Sequence, residues 1–361
     1  FFTFGFLSSY ILFIIIWFLN FYSLRLLVLS ANYYHESTFE EIWRAAFNRA
    51  TMFIPSTVSI LSSLVDMTAY VQAIQSSVIS ICEKIFLLFT DDSGHIFTEF
   101  EQYKMLIGCA IFFVFLLPVC FTINPSTMSI LSYFSVTFIL LFTLYVISMF
   151  AYLVKKYGFD PNHSFSFFNP KGNYAKSLST LIFAFTFYPL TYPGIRHVKN
   201  STQKNLTRIF LITMIIILVD YLIIGTFSYL SFLGKNLNGS VLNFYPENTQ
   251  TEKILSVFGH LLSLVYVLLT IPFRLNSCRY IILNAISGST TFPIDTWVLV
   301  GILMSLFALS FGNLTDFFLN ILFIISDVMA SFLLFIFTPI YYLKAYGFND
   351  KFRGFMSVLL L

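Results

Sequence analysis

Apolar residues in this chain come in long unbroken runs, not in alternation. A membrane-crossing helix needs about 20 such residues. Runs of that kind cover 7–31, 52–82, 105–121, 129–154, 178–194, 208–233, 254–273, 295–312 and 317–343, and a stub begins near 354. The pattern predicts nine spans with fragments at each end. The 52–82 run is the most polar, rich in Ser, Thr and Gln, and is expected to face other helices instead of lipid. STFEEIWRAAFN (37–48) departs from the span pattern and reads as a short amphipathic helix. Thr38 would cap it, and Glu40 and Glu41 fall in the first turn, where the helix dipole favours acids.

One span is interrupted. In LIFAFTFYPLTYPGIRHVKN (181–200) the apolar run meets Pro189, Pro193 and Gly194, then Arg196, His197 and Lys199. Pro189 has no N–H and clashes with the carbonyl of Phe185; Pro193 does the same to Pro189. Tyr188 and Tyr192, each before a proline, are pushed from helical ψ. Free carbonyls at membrane depth are tolerated only inside protein or along a polar cavity. A broken helix is also the sequence pointer to a transporter's binding site; the structural reading of the same break is a kink.

Composition fixes the setting. The chain is 58% hydrophobic and 10% charged, against about 25% charged in soluble domains, with mean hydropathy +0.82. A formal charge of +3 is too small to suggest a nucleic-acid partner. Cys82, Cys109, Cys120 and Cys278 show no CxxC or metal spacing and lie in or beside apolar runs, so they read as small buried hydrophobes. There is no HExxH, GxSxG, P-loop or His/Cys cluster, so the chain does not read as an enzyme. It opens on Phe1 inside an apolar run and closes on MSVLLL inside another, so both ends are read as truncated. No separate soluble domain is visible: residues 1–361 read as a single transmembrane domain.

Lys and Arg set the expected orientation. The odd-numbered loops carry Arg44, Arg49, Arg196, Lys199, Lys204, Arg208, Arg274, Arg279, Lys344, Lys351 and Arg353; the even ones carry Lys84, Lys104, Lys155, Lys156, Lys171, Lys176, Lys235 and Lys253. The bias puts the odd loops in the cytoplasm. The sequons at Asn162 and Asn238 then face outward or into a lumen.

Four segments, in order, resemble the amino acid/auxin permease family, most closely its neutral amino-acid transporters. FAFTFYPLTYPGIRHVKN resembles the sixth helix through Phe183, Ala184, Phe185, Pro189 and Pro193. ILVDYLIIGTFSYLSFLG (217–234) resembles the seventh through Tyr221, Phe227, Tyr229, Leu230, Phe232 and Gly234. LLPVCFTINPSTMSILSYFS (116–135) is similar to the link from the fourth to the fifth helix, and LLTIPFRLNSCR (268–279) to the end of the eighth, with Thr270 and Pro272. The likeness runs from about residue 1 to 355. It implies an all-α polytopic membrane protein with the LeuT-type fold: a 5+5 inverted-repeat helix bundle with an eleventh helix, the first helix largely missing here.

The residues then divide into roles. Carbonyls around Ala184, Phe185, Thr186, Phe187 and Tyr188 would accept hydrogen bonds from a substrate ammonium, and Phe185, Phe187 and Tyr188 would wall its side chain. Tyr70 matches the family's third-helix pattern and joins the substrate site by resemblance. Asp66, Asp220, Asp327 and His260 are ionisable groups inside apolar spans, which default to functional residues or to partnered structural ones. Asp66 is the best coupling candidate, one turn before Tyr70. Thr270 and Ser263, seven apart on one helix face, offer hard oxygen ligands for a small cation, or simply bond back to their own helix. No cofactor is implied, only Na+ or H+ as coupling ion.

The expected function is secondary active transport of small neutral amino acids by alternating access. It is a symport driven by a proton or sodium gradient, in the plasma membrane or a lysosome- or vacuole-like membrane. The expected partners are the amino acid, the lipid bilayer and other subunits of a membrane complex. The alternative is a non-transporting relative, acting as an amino-acid sensor or a structural subunit.

Overall fold

The computed structural model describes residues 5–36, 38–89, 103–121, 125–158, 167, 178, 181–182, 184–185, 202–232, 241–287, 292–313, 316–348 and 350–361. Every regular element among them is helical. The principal helices are α1 (Phe6–Tyr34), α2 (Phe39–Ala46), α3 (Phe53–Phe89), α4 (Lys104–Ile111), α5 (Leu117–Cys120), α6 (Pro125–Tyr157), α7 (Gln203–Ser231), α8 (Gln250–Ser287), α9 (Ile294–Gly312), α10 (Asp316–Phe332), α11 (Thr338–Tyr346) and α12 (Lys351–Leu360).

Among the described residues, seven helical segments are long and apolar enough to cross a membrane: Phe6–Tyr34, Arg49–Phe86, Met128–Tyr157, Gln203–Ser231, Gln250–Ser287, Ile294–Gly312 and Ile321–Tyr346. They coincide with seven of the nine expected runs. The 105–121 run is a shorter apolar helix, Met105–Cys120. Most of the 178–194 run lies outside the described residues, as do both outward sequons.

The spanning helices bury their few polar groups internally, as a medium without water requires. In α1 the Asn20 amide donates to the Ile16 carbonyl at 2.8 Å and Ser30 to Leu26 at 2.9 Å. Two apolar helices widen into a π turn, Phe112–Leu116 between α4 and α5 and Leu333–Phe337 between α10 and α11. Each is followed at once by a proline, Pro118 and Pro339. A proline ring collides with the carbonyl four residues back, here Val114 and Phe335, and the wider turn relieves the clash. Carbonyls of the second turn find hydroxyl partners: Thr338 donates to Leu333 at 2.9 Å and Ser23 of α1 to Leu334 at 2.5 Å.

The spans pack in two main groups. Leu24, Leu27 and Val28 of α1 meet Phe39 and Ile42 of α2, Leu206 and Phe210 of α7, and Leu333, Leu334 and Tyr341. Met67, Val71 and Ile74 of α3 meet Ile271, Leu275 and Cys278 of α8, Met304 and Ala308 of α9, and Leu116 to Cys120. As expected of its composition, α3 is packed between helices, with Ser59, Ser62, Ser63, Thr68 and Gln75 all buried.

Helix α2 starts where its sequence predicts: Thr38 Oγ1 accepts the Glu41 N–H at 3.2 Å. Its setting differs from a simple amphipathic surface helix. Phe39 and Ile42 are buried, but so are Glu40 and Glu41, and the Tyr341 hydroxyl donates to the Phe39 carbonyl at 2.9 Å. Burial pushes the Glu40 carboxyl above the usual carboxylate range. Thr38→Ala removes the cap and is expected to cost about 1 kcal/mol. A lowered melting temperature of the purified protein would register it; unchanged melting would mean that the docked helix does not need its cap.

The ends of the spans sort as the loop numbering requires. Lys84 at the end of α3 pairs with Glu247 before α8, and Lys156 at the end of α6 pairs with Glu252 at 2.7 Å. At the opposite end Lys344 lies 5.7 Å from the Phe47 ring centroid, and the Tyr346 hydroxyl donates to the Leu29 carbonyl at 3.3 Å. One expectation is corrected. Helix α8 does not stop near residue 273 but runs through Pro272 to Ser287. Arg274 and Arg279 are therefore helical residues inside the bundle, not loop charges, and the excess of positive charge on the odd side shrinks.

Candidate functional site

The displaced Arg274 is the key to the site. It follows Ser263 and Thr270 on the same face of α8, since 263, 270 and 274 recur at helical spacing. Across from it on α3 is Asp66, and Arg274 Nη1 pairs with Asp66 Oδ2. The Ser326 hydroxyl of α10 reaches the other carboxylate oxygen at 3.4 Å. The guanidinium carbon lies 5.5 Å from the Tyr70 ring centroid, one helical turn beyond Asp66. A lone charge in the middle of a membrane costs about 2.5–3.5 kcal/mol on insertion scales. A buried pair offsets that only when its remaining donors and acceptors are also met; Ser326 and Tyr70 supply those contacts.

Two tyrosines lie in electrostatic range of this pair, and one of them reaches Ala184. Tyr221 of α7 lies in electrostatic range of both Tyr70 and Arg274, and Tyr266 of α8 in range of Tyr70, Tyr221 and Arg274. The Tyr221 hydroxyl donates to the Ala184 carbonyl at 3.1 Å. The Phe185 N–H closes a tight turn on the Ile182 carbonyl at 3.2 Å. The expectation that all carbonyls from Ala184 onward are free is corrected at its first member: Ala184 already has Tyr221, although a carbonyl oxygen keeps a second lone pair for another donor. Phe185 is wholly buried, packed edge-on against Tyr221 at 5.5 Å and Phe13 at 6.1 Å, with Ile16, Leu181 and Met214 around it. Thr186, Phe187 and Tyr188 lie outside the described residues.

The proposed cation ligands stand apart from one another in their bonding. Thr270 Oγ1 donates to its own helix, to the Tyr266 carbonyl at 2.7 Å and Val267 at 3.0 Å, leaving its lone pairs open. Pro272 has no N–H to give the Leu268 carbonyl, so an oxygen is released one turn away. Ser263 is half-buried on the same face.

The other intramembrane groups point elsewhere. Thr143 of α6 donates to Asp220 at 2.5 Å, while the second Asp220 oxygen is buried without a partner among the described residues. Asp327 follows Ser326 and lies in electrostatic range of Asp66. His260 is buried near Lys84 and Glu247, far along α8 from Arg274. The four cysteines are free, with Cys120 and Cys278 buried. No group of three metal-binding side chains occurs among the described residues.

Sequence reasoning missed Arg274, because a basic residue after an apolar run reads as a loop. The signal was there: it extends the Ser263–Thr270 stripe by one turn, and Asp66 needed a counter-ion.

A sheltered ion pair beside Tyr70, in electrostatic range of the Tyr221 that holds the Ala184 carbonyl, suits recognition of a small polar solute within a membrane. The family description "Transmembrane amino acid transporter protein" matches residues 1–357. A relative in Saccharomyces cerevisiae, "Vacuolar amino acid transporter 5", is 28% identical over 110 residues, covering 30% of this chain and 23% of that protein. The chain thus belongs to the transmembrane amino acid transporter family, and its long apolar helices make it a multi-pass integral membrane protein.

Proposed function

We propose that this member is a secondary active transporter of small neutral amino acids, working by alternating access in a LeuT-type 5+5 arrangement, with the odd-loop face in the cytoplasm. The carrying observation is the Tyr221–Ala184 hydrogen bond, which ties the interrupted helix to the Asp66–Arg274–Tyr70 cluster. The substrate ammonium is taken by carbonyls from Ala184 to Tyr188, with Tyr70 alongside. Because Arg274 is already engaged by Asp66, this pair offers no net charge to an ionised side chain, which favours a neutral one. The two packing groups support alternating access: α1, α7 and the 181–185 segment move as one body against α3, α5, α8 and α9. With Asp66 committed to Arg274, coupling falls to Na+ held by Thr270 and Ser263 with the Leu268 carbonyl, or to H+ carried elsewhere in the site. The vacuolar relative supports a vacuole- or lysosome-like membrane.

Proteoliposome uptake of labelled neutral amino acids, with a proton or a sodium gradient imposed in turn, tests this. Saturable uptake stimulated by one of the two gradients is expected. No saturable uptake of any neutral amino acid under either gradient would refute it.

A further inference from the structure

We propose that the Asp66–Arg274 pair sets the charge selectivity of the site: it makes the site neutral, and whichever member is left alone selects a substrate of opposite charge. The inference rests on the transport reading above and adds the residues that decide substrate class.

Three observations carry it. First, the pair joins α3 to α8, two helices packed closely along their buried faces, so it belongs to a fixed wall of the site instead of a moving contact. Second, its members are not equally covered. The Asp66 side chain is 5% exposed and the Arg274 side chain 16%, so the arginine is the less covered member, with Tyr70 beside its guanidinium. An arginine has five N–H donors, and a single carboxylate does not use them all. Third, among the described residues the nearest other charges are engaged elsewhere. Asp220 is turned to Thr143 of α6. Asp327 lies on α10 beyond Ser326, with interactions of its own. Arg279, further along α8, is held by the Cys120 carbonyl and Asn276.

The physical consequence follows from Coulomb's law in a poorly screened site. Unit charges a few ångströms apart at an effective dielectric constant near 20 interact strongly enough to shift relative binding by about tenfold or more. Asp66→Asn leaves Arg274 uncompensated, so an acidic amino acid restores neutrality on binding. Arg274→Gln leaves Asp66, so a basic one does. The double variant is neutral again.

The experiment measures, for wild type, the two single variants and the double variant, how far alanine, glutamate and lysine each raise the melting temperature of the purified protein and compete with labelled alanine in proteoliposomes. The expected result is a shift of the glutamate-to-alanine ratio by about tenfold in Asp66→Asn, and of the lysine-to-alanine ratio by a similar factor in Arg274→Gln. The double variant should return both ratios to wild-type values, an outcome that a merely structural role would not produce. If Asp66→Asn unfolds on purification, glutamate in the buffer should rescue it and alanine should not. Unchanged ratios in the single variants, or rescue by neither amino acid, would overturn the inference. A wild-type protein that responds to no neutral amino acid would instead overturn the transport reading beneath it.

Discussion

Arg279→Lys is expected to destabilise the protein by on the order of 3 kcal/mol, although the charge is kept. Arg279 is fully buried on α8. One guanidinium nitrogen donates to the Cys120 carbonyl at 2.8 Å and another to Asn276 Oδ1. Its planar face lies 4.8 Å from the Trp297 ring centroid. Cys120 ends α5, where the last carbonyls of a helix lack intrahelical partners and carry partial negative charge. Among the described residues the charge is thus held by a carbonyl, an amide oxygen and an aromatic face, not by a carboxylate. A lysine ammonium is a point donor and reaches one of these places at a time. It forfeits one charge-assisted hydrogen bond, about 1.5–3 kcal/mol, and the stacking on Trp297, about 0.5–2 kcal/mol. Space is also tight, since a Cβ added at Gly301 would stand 3.0 Å from the guanidinium. Gly301→Ala should therefore lower the melting temperature too, by less. An Arg279→Lys protein that melts with wild type would show that the guanidinium fork is dispensable.

The elements were legible where local physics alone decides them. Apolar runs located the long spans, and Thr38 with Glu41 located the start of α2, because both signals need no knowledge of neighbours. The polar face of α3 foretold its burial between helices for the same reason. What was hidden depended on partners. Arg274 and Arg279 look like the basic end of a span, because bare sequence prices an arginine in lipid as too costly. In the fold each is enclosed, one by Asp66 and Tyr70, the other by Cys120, Asn276 and Trp297. Pro272 strengthened the misreading, since a proline suggests a helix end while a neighbouring helix can shelter the freed carbonyl. The burial of Glu40 and Glu41 was likewise out of reach, because it is imposed by what packs over α2, including Tyr341. Ala184 and Phe185 were singled out from the sequence, but nothing local reveals that Tyr221, thirty-seven residues on, caps the first carbonyl.

Phe185→Ala is expected to cost on the order of 2 kcal/mol and to abolish most uptake. In a water-soluble core the same truncation costs about 3–5 kcal/mol, part of it lost transfer from water and part the cavity left behind. Inside a membrane the reference environment is itself apolar, so the transfer part largely disappears and lost packing remains. That remainder is substantial here, because Phe185 is wholly buried among Phe13, Ile16, Leu181, Met214 and Tyr221. The functional loss has a separate cause. Phe185 holds the ring of Tyr221 edge-on at 5.5 Å, and the Tyr221 hydroxyl in turn holds the Ala184 carbonyl. Tyr221→Phe separates the two effects: it keeps the ring and the packing but removes the hydroxyl. It should melt within about 1 kcal/mol of wild type yet lose uptake, with the KM for substrate raised. If Phe185→Ala lost stability while Tyr221→Phe transported normally, the Ala184 carbonyl would be an ordinary helix end and the substrate ammonium would have to be held elsewhere. Both variants losing uptake, with only the first losing stability, would tie transport to the carbonyl itself.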